Sequence, residues 1–211
     1  MTTLKSAGLR LPLLLLLLVP VMAVVHADTR TVLVVGDSLS AAYNMDRDQG
    51  WVHLLHQRLE SEQPGWNVAN ASITGDTTRG GLSRLPGALD EHRPSIVIIA
   101  LGGNDGLRAL PPVEIRNNLE RMIELSREAG AEVMLAGVRI PANYGPAYSR
   151  RFEQVFHDVA DAVDVPLLPS ILAEVEERAD LFQGDGIHPS EAAQPVILDN
   201  VWTVLRPMIR G

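Results

Sequence analysis

The chain of 211 residues contains no cysteine, which excludes disulfides, thiolate metal sites and lipid attachment through an N-terminal Cys. It also lacks an excess of positive charge. Eighteen Lys and Arg against 26 Asp and Glu leave a formal charge of -8, so a basic footprint for nucleic acid or anionic lipid is missing. Long apolar runs are missing too, apart from one near the start. Leu11 to Val25 is almost wholly apolar, but this run is short of the ~20 residues that span a bilayer, and Pro12 and Pro20 interrupt it. A stable membrane anchor is therefore not expected. Lys5 and Arg10 precede the run, Val25-His26-Ala27 offers small residues at a cleavage site, and Asp28 follows. This is the layout of a secretory signal peptide. Residues 1–27 read as a removed leader and residues 28–211 as a single domain, with a hydrophobic content of 46% that suits one core. Without the leader, which carries Lys5 and Arg10 and no acid, the charge is -10.

What is present is an alternation of short apolar runs with amphipathic stretches. Thr31–Val35, Trp66–Asn70, Ser95–Leu101, Glu132–Gly137 and Val165–Leu168 read as strands, and Ser95–Leu101 is too continuously apolar to be half exposed. Helices are predicted over Gly50–Glu60, Arg79–His92, Pro111–Ala129, Arg150–Val163 and from about Glu191 to Leu205. Glycines and Pro86 weaken the second, and Pro195 is expected to bend or loosen the first turns of the last. Five such strands alternating with helices predict an α/β fold, a three-layer α/β/α sandwich around a five-stranded parallel sheet. Ligands of such sheets bind beyond the carboxyl ends of the strands. The unusual polar and glycine residues fall there: Gly36-Asp37-Ser38, Gly75-Asp76, Gly102-Gly103-Asn104-Asp105 and Pro141-Ala142-Asn143-Tyr144-Gly145 each follow a strand, and Asp185-Gly186-Ile187-His188 precedes the last helix.

A serine hydroxyl needs a base to become a nucleophile, and a base histidine needs a carboxylate to orient it. Ser38, taken alone, reads equally as a helix N-cap. Asp185 and His188 stand three residues apart in one loop and can bond to each other without help from another element. With them, Ser38 becomes a candidate nucleophile. Acyl transfer also needs donors for an oxyanion. The candidates are the backbone N–H groups of Ser38 and Gly75 and the side-chain amide of Asn104, although Gly75 and Asn104 also suit ordinary turns. His53 and His56 could pair on a metal, but no carboxylate or Cys stands near them in sequence, and a solvated helix face is the plainer reading. His92 and His157 read as structural. Neither Gly80-Gly81 nor Gly102-Gly103 fits a phosphate or dinucleotide loop.

These blocks resemble the GDSL, or SGNH, hydrolase family. Gly36-Asp37-Ser38-Leu39, the Gly75 block from Asn70 to Thr77, Gly102-Gly103-Asn104-Asp105 and Asp185-Gly186-Ile187-His188-Pro189 carry the likeness, which runs through the whole chain beyond the leader. Strings such as NASITGDTTRGGLSRLP and GDGIHPSEAAQP are similar to one branch, the periplasmic multifunctional acyl-CoA thioesterases, arylesterases and lysophospholipases of Gram-negative bacteria. The resemblance implies a flavodoxin-like sheet and a metal-free, cofactor-free mechanism. It implies a periplasmic monomer acting on small acyl esters, thioesters or lysophospholipids. Ser38 would be nucleophile, His188 base and acid, Asp185 its orienting partner, and Ser38, Gly75 and Asn104 the oxyanion hole. The segments Gly106–Leu110 and Pro141–Gly145, with Leu107, Leu110, Pro141 and Tyr144, would line the acyl groove.

Overall fold

The structure is a computed structural model that describes residues 30–210 and, at the start, residues 2 and 3. The leader read from residues 1–27 otherwise lies outside the described residues. Strands β1 (Arg30–Gly36), β2 (Trp66–Asn70), β3 (Ile96–Ala100), β4 (Glu132–Ala136) and β5 (Leu167–Leu168) form one parallel sheet in the order β2-β1-β3-β4-β5. That order is the flavodoxin-like one. The apolar runs explain it. All five residues of β3 are buried, as are Val32 to Val35 of β1, so these strands need cover on both faces. Each such Val or Ile stabilises the fold by roughly 1.5–3 kcal/mol relative to exposure.

Helices α1 (Trp51–Glu62) and α6 (Gln194–Arg210) pack together on one face, and α2 (Thr78–His92), α4 (Pro112–Glu128) and α5 (Pro146–Val163) pack side by side on the other. The stripes read from the sequence are the buried ones: Val52, Leu55 and Leu59 in α1, Ile115, Leu119, Met122 and Ile123 in α4, and Phe152, Val155, Phe156 and Val159 in α5. Among the described residues no helix is long and apolar enough to cross a membrane.

The structure departs from the sequence expectation at several places. Helix α2 is continuous through Pro86. Its Thr77 side chain accepts the Gly80 N–H, its Leu85 and Leu89 are buried, and Gly81 lets it approach so closely that a Cβ there would stand 2.2 Å from Leu101 Cδ1. The glycine that weakens the helix in isolation thus fits it to the core. A short helix α3 (Gly103–Leu107) occupies what reads as a glycine-rich turn. The last helix begins at Gln194, after a 3-10 turn over Glu191–Ala193. Pro195 therefore falls in its first turn, where no helical N–H bond is lost. Strand β5 has only two residues, because Pro166 has no N–H to give the ladder and contributes only its carbonyl, to Leu135 N at 2.9 Å.

Candidate active site

Strand order reverses between β1 and β3, and a crevice opens beyond their carboxyl ends. Ser38 stands two residues past β1 and Asn104 four past β3. The turn holding Ser38 is built by Asp37. Its backbone carbonyl accepts the N–H groups of Ser40 and Ala41 at 3.1 and 3.0 Å, and its Oδ1 accepts the Leu39 N–H at 3.0 Å. Asp37 is only 2% exposed. Burial pushes its carboxyl up to about 6, against the lowering effect of the Leu39 and Asn104 hydrogen bonds and of nearby His188.

The loop before α6 supplies the partners. Gly186 has φ +67°, which lets the chain fold back on Asp185. Asp185 Oδ1 accepts the N–H groups of Ile187 and His188 at 2.9 and 3.0 Å, and its Oδ2 lies 2.6 Å from His188 Nδ1. The backbone and ring N–H bonds from His188, with that from Ile187, hold the Asp185 carboxyl down to about 2. With the Nδ1 proton directed at Asp185, His188 Nε2 is left to accept from the Ser38 hydroxyl, 3.0 Å away. The Tyr43 ring lies 4.1 Å from the His188 ring, centroid to centroid. Gln183 ties the loop down. Its Nε2 donates to the carbonyls of Tyr43 and Pro189, and its Oε1 accepts from Asn44 Nδ2.

Asn104 faces Ser38 from α3. Its Nδ2 donates to the Asp76 carbonyl at 2.9 Å and, more loosely, to Asp37 Oδ2 at 3.2 Å. Both amide hydrogens are therefore engaged. The N–H groups of Ser38 and Gly75 make no hydrogen bond among the described residues. Gly75 has φ +79° and its carbonyl is held by Arg108 Nη2 at 3.0 Å.

A cavity of about 700 Å³ adjoins these groups. Ser38, Asn104 and His188 stand on its wall with the apolar Leu107, Val138, Ile140, Pro141, Leu172, Phe182 and Ile187 and with the charged Asp37, Arg139, Glu153, Glu176 and Glu177. Of the acyl-groove candidates, Leu107 and Pro141 line it, whereas Leu110 and Tyr144 do not. The Tyr144 hydroxyl is turned away to donate to the Leu107 carbonyl at 2.8 Å, and the Leu110 carbonyl accepts from Tyr148 at 2.9 Å. Gly75 also stands outside this lining, in the adjacent turn.

Sequence reasoning missed three contributors. Asp37 read only as part of a block. Arg84, on α2, joins the blocks: its Nε bonds Asp76 Oδ2 at 2.7 Å, Nη2 the Gly36 carbonyl at 3.2 Å, and Nη1 the Ala71 carbonyl. Asp105, 1% exposed, accepts from the N–H and hydroxyl of Thr78 and so locks α3 to the start of α2; burial raises its carboxyl, opposed by those Thr78 bonds. An arginine on an otherwise amphipathic helix gives no sign that it points at three backbone segments. Among the described residues, no group of three or more His, Cys, Asp or Glu could hold a metal ion.

A three-layer α/β fold with a serine, a histidine and an apolar crevice at its switch point is the architecture of a hydrolytic enzyme. The family described as GDSL-like Lipase/Acylhydrolase matches residues 34–195, and the chain belongs to that family. Esterase TesA of Pseudomonas aeruginosa is 48% identical over 184 residues, covering 87% of this chain and 92% of its own. Thioesterase 1/protease 1/lysophospholipase L1 of Escherichia coli is 41% identical over 199 residues, covering 94% and 93%. Among solved structures, the crystal structure of TesA superposes with a TM-score of 0.82 at 49% identity, covering 84% of this chain and 99% of that one. The psychrotrophic esterase EstA from Pseudoalteromonas sp., inhibited by monoethylphosphonate, gives 0.82 at 36% identity, covering 86% and 100%.

Proposed function

We propose that the chain hydrolyses acyl esters and thioesters, including aryl esters, acyl-CoA and lysophospholipids, through an acyl-enzyme on Ser38. The observation that carries this reading is the unbroken line Asp185–His188–Ser38, at 2.6 and 3.0 Å, ending on the wall of an apolar cavity. Ser38 Oγ attacks the acyl carbonyl as His188 Nε2 takes its proton, and Asp185 steadies the imidazolium that forms. The free N–H groups of Ser38 and Gly75 and the Asn104 amide receive the oxyanion. Asn104 does so by releasing its longer bond to Asp37, which leaves the other to hold its orientation. His188 then protonates the leaving alcohol or thiol, and afterwards activates the water that frees the acid.

The apolar part of the cavity wall, from Leu107, Val138, Ile140, Pro141, Leu172, Phe182 and Ile187, favours fatty acyl groups over the acetyl groups of a carbohydrate esterase. Of the exposed large apolar side chains, Tyr43 and Ile73 follow strand ends and Ile187 lies in the base loop, on the edge that an amphiphilic substrate would meet. Residues 1–27 act as a leader cleaved before Asp28, delivering a single-domain enzyme to the periplasm; N-terminal sequencing of periplasmic protein that returned the uncleaved chain would refute this. The catalytic reading is tested by treating the protein with a fluorophosphonate and locating the adduct by mass spectrometry, beside a hydrolysis panel of nitrophenyl esters and acyl-CoAs. An adduct on a serine other than Ser38 overturns the assignment.

A further inference from the structure

Between Ser38 and helix α1 the chain takes a strained course. Ala42 and Asn44 both have positive φ, +55° and +54°, and neither is glycine. The left-handed conformation costs most for alanine, which has no polar side chain to bond its own backbone. Such a residue persists only where its surroundings hold it. The residue between the two, Tyr43, is where the holding occurs. Its N–H donates to the Ser38 carbonyl at 3.4 Å. Its carbonyl accepts from Gln183 Nε2 at 2.9 Å, and the same Nε2 donates to the carbonyl of Pro189, next to His188. Asn44 Nδ2 donates to Gln183 Oε1 at 3.1 Å. The Tyr43 ring lies against the His188 imidazole, with centroids 4.1 Å apart and planes 33° from parallel. One residue thus fastens the segment of the serine to the loop of the histidine.

Burial does not explain this placement. Tyr43 is 38% exposed, whereas the other two tyrosines, Tyr144 and Tyr148, pack against the core. Contact with a substrate in the cavity does not explain it either. His188 borders the 700 Å³ cavity and Tyr43 does not, so the ring covers the imidazole from outside. What remains is the contact itself, whose chemistry changes during the proposed reaction. The face of an aromatic ring carries the negative part of its quadrupole, which attracts a cation far more than a neutral group. His188 becomes an imidazolium each time it takes a proton, first from Ser38 and later from water. The other groups that face this charge are Asp185, 2.6 Å from Nδ1, and the buried Asp37 nearby. The attraction of the Tyr43 ring grows only as the charge forms. An interaction of that kind lowers the barrier without tightening substrate binding.

We propose that Tyr43 is a positioning residue for His188, its ring holding the imidazole between Asp185 and Ser38 and stabilising the imidazolium of each transition state. The proposal rests on the hydrolase reading above and deepens it. Its ingredients are the ring face and the ring's fixed place, and the phenolic hydroxyl is not among them.

The test is steady-state hydrolysis of a nitrophenyl ester by Tyr43→Leu and Tyr43→Phe, beside the rate at which a fluorophosphonate labels Ser38. Tyr43→Leu keeps an apolar cover on the imidazole but loses the ring. It is expected to lower kcat about tenfold with KM little changed, and to slow labelling in step. Tyr43→Phe keeps the ring and should restore kcat to within about twofold of wild type. A second series separates the charge effect from packing. Tyr43→Phe is made with one, two or three fluorines on the ring, which weaken its negative face and leave its shape. The proposal expects kcat to decline stepwise along that series toward the value for Tyr43→Leu. A flat series, a Tyr43→Leu kcat equal to wild type, or a loss that appears in KM overturns it. Failure of the hydrolase reading shows differently, because wild type itself would then neither hydrolyse the ester nor be labelled at Ser38, and the role of Tyr43 would fall with it.

Discussion

The two halves of the candidate active site are built by different means. The Ser38–Asn104 half is assembled from distant segments and anchored on the buried Asp37. Asn104 reaches Asp37 across 67 positions of sequence, Arg84 reaches Gly36 across 48, and Asp37 is 2% exposed. The Asp185–His188 half is made within one loop, by bonds spanning two or three residues, and the Asp185 side chain is 39% exposed. Their electrostatics differ in sign as a result. Burial raises Asp37 to about 6, whereas three hydrogen bonds lower Asp185 to about 2. In the proposed mechanism, the groups that receive the developing charge are thus anchored to the core, which removes the cost of organising them at the moment of reaction. His188, the proposed base, can sit on a short, partly exposed loop because its carboxylate travels with it.

Removing the atom at which the halves meet has the largest effect. Ser38→Ala is expected to lose on the order of 10⁶-fold in kcat with an unchanged fold, measured by steady-state hydrolysis of a nitrophenyl ester and by circular dichroism. A change within tenfold would dissolve the relation between the halves. Asp185→Asn, which keeps the loop's shape but presents the wrong partner to Nδ1, should cost about 10⁴-fold in kcat. If it costs no more than the surface substitution Glu124→Gln, the loop is structural.

On the buried side, Asn104→Ala is expected to cost roughly 10²–10³ in kcat, with little change in KM. A loss confined to KM would make Asn104 a substrate-positioning group instead. Arg84→Met sharpens the point, because Arg84 does not line the cavity. It severs three links and leaves the Ala71 carbonyl short of a donor, while Gly36 keeps the Ile73 N–H, so thermal unfolding should show a loss of about 2–3 kcal/mol, with kcat falling further than for a surface arginine. A melting temperature equal to wild type would show that the blocks hold their places unaided.

The smallest effect, and the one that separates the halves by sign, is in acid. Asp37 keeps its proton in the folded state between about pH 4 and 6, where an unfolded carboxyl has lost it. Its contribution is therefore greatest below about pH 4 and declines as pH rises through about 6. Asp185 works the other way. Its contribution is present above about pH 4 and is lost as pH falls toward 2. Melting temperatures of Asp37→Asn and Asp185→Asn against pH should diverge from wild type in these separate windows. Parallel curves would contradict the contrast between a buried and a hydrogen-bonded carboxylate.

The sequence by itself determined the elements and one half of the site. Apolar runs of strand length and stripes of helical spacing are consequences of which neighbours along the chain must be buried, so β1, β3, α4 and α5 were legible from their own residues. The bond between Asp185 and His188 was legible for the same reason, since both ends lie in one turn. Tertiary structure decided what depends on contacts between segments. It made α3 a helix by locking Asp105 onto Thr78, and it kept α2 whole despite Pro86 by packing Gly81 against Leu101. It left Tyr144 and Leu110 off the cavity wall while bringing Leu107 and Pro141 onto it. It buried Asp37 and aimed Arg84 at Gly36, Ala71 and Asp76. And it set His188 3.0 Å from a serine 150 positions away. Burial and long-range hydrogen bonding are properties of the packed sheet and helices, and no local spacing encodes them.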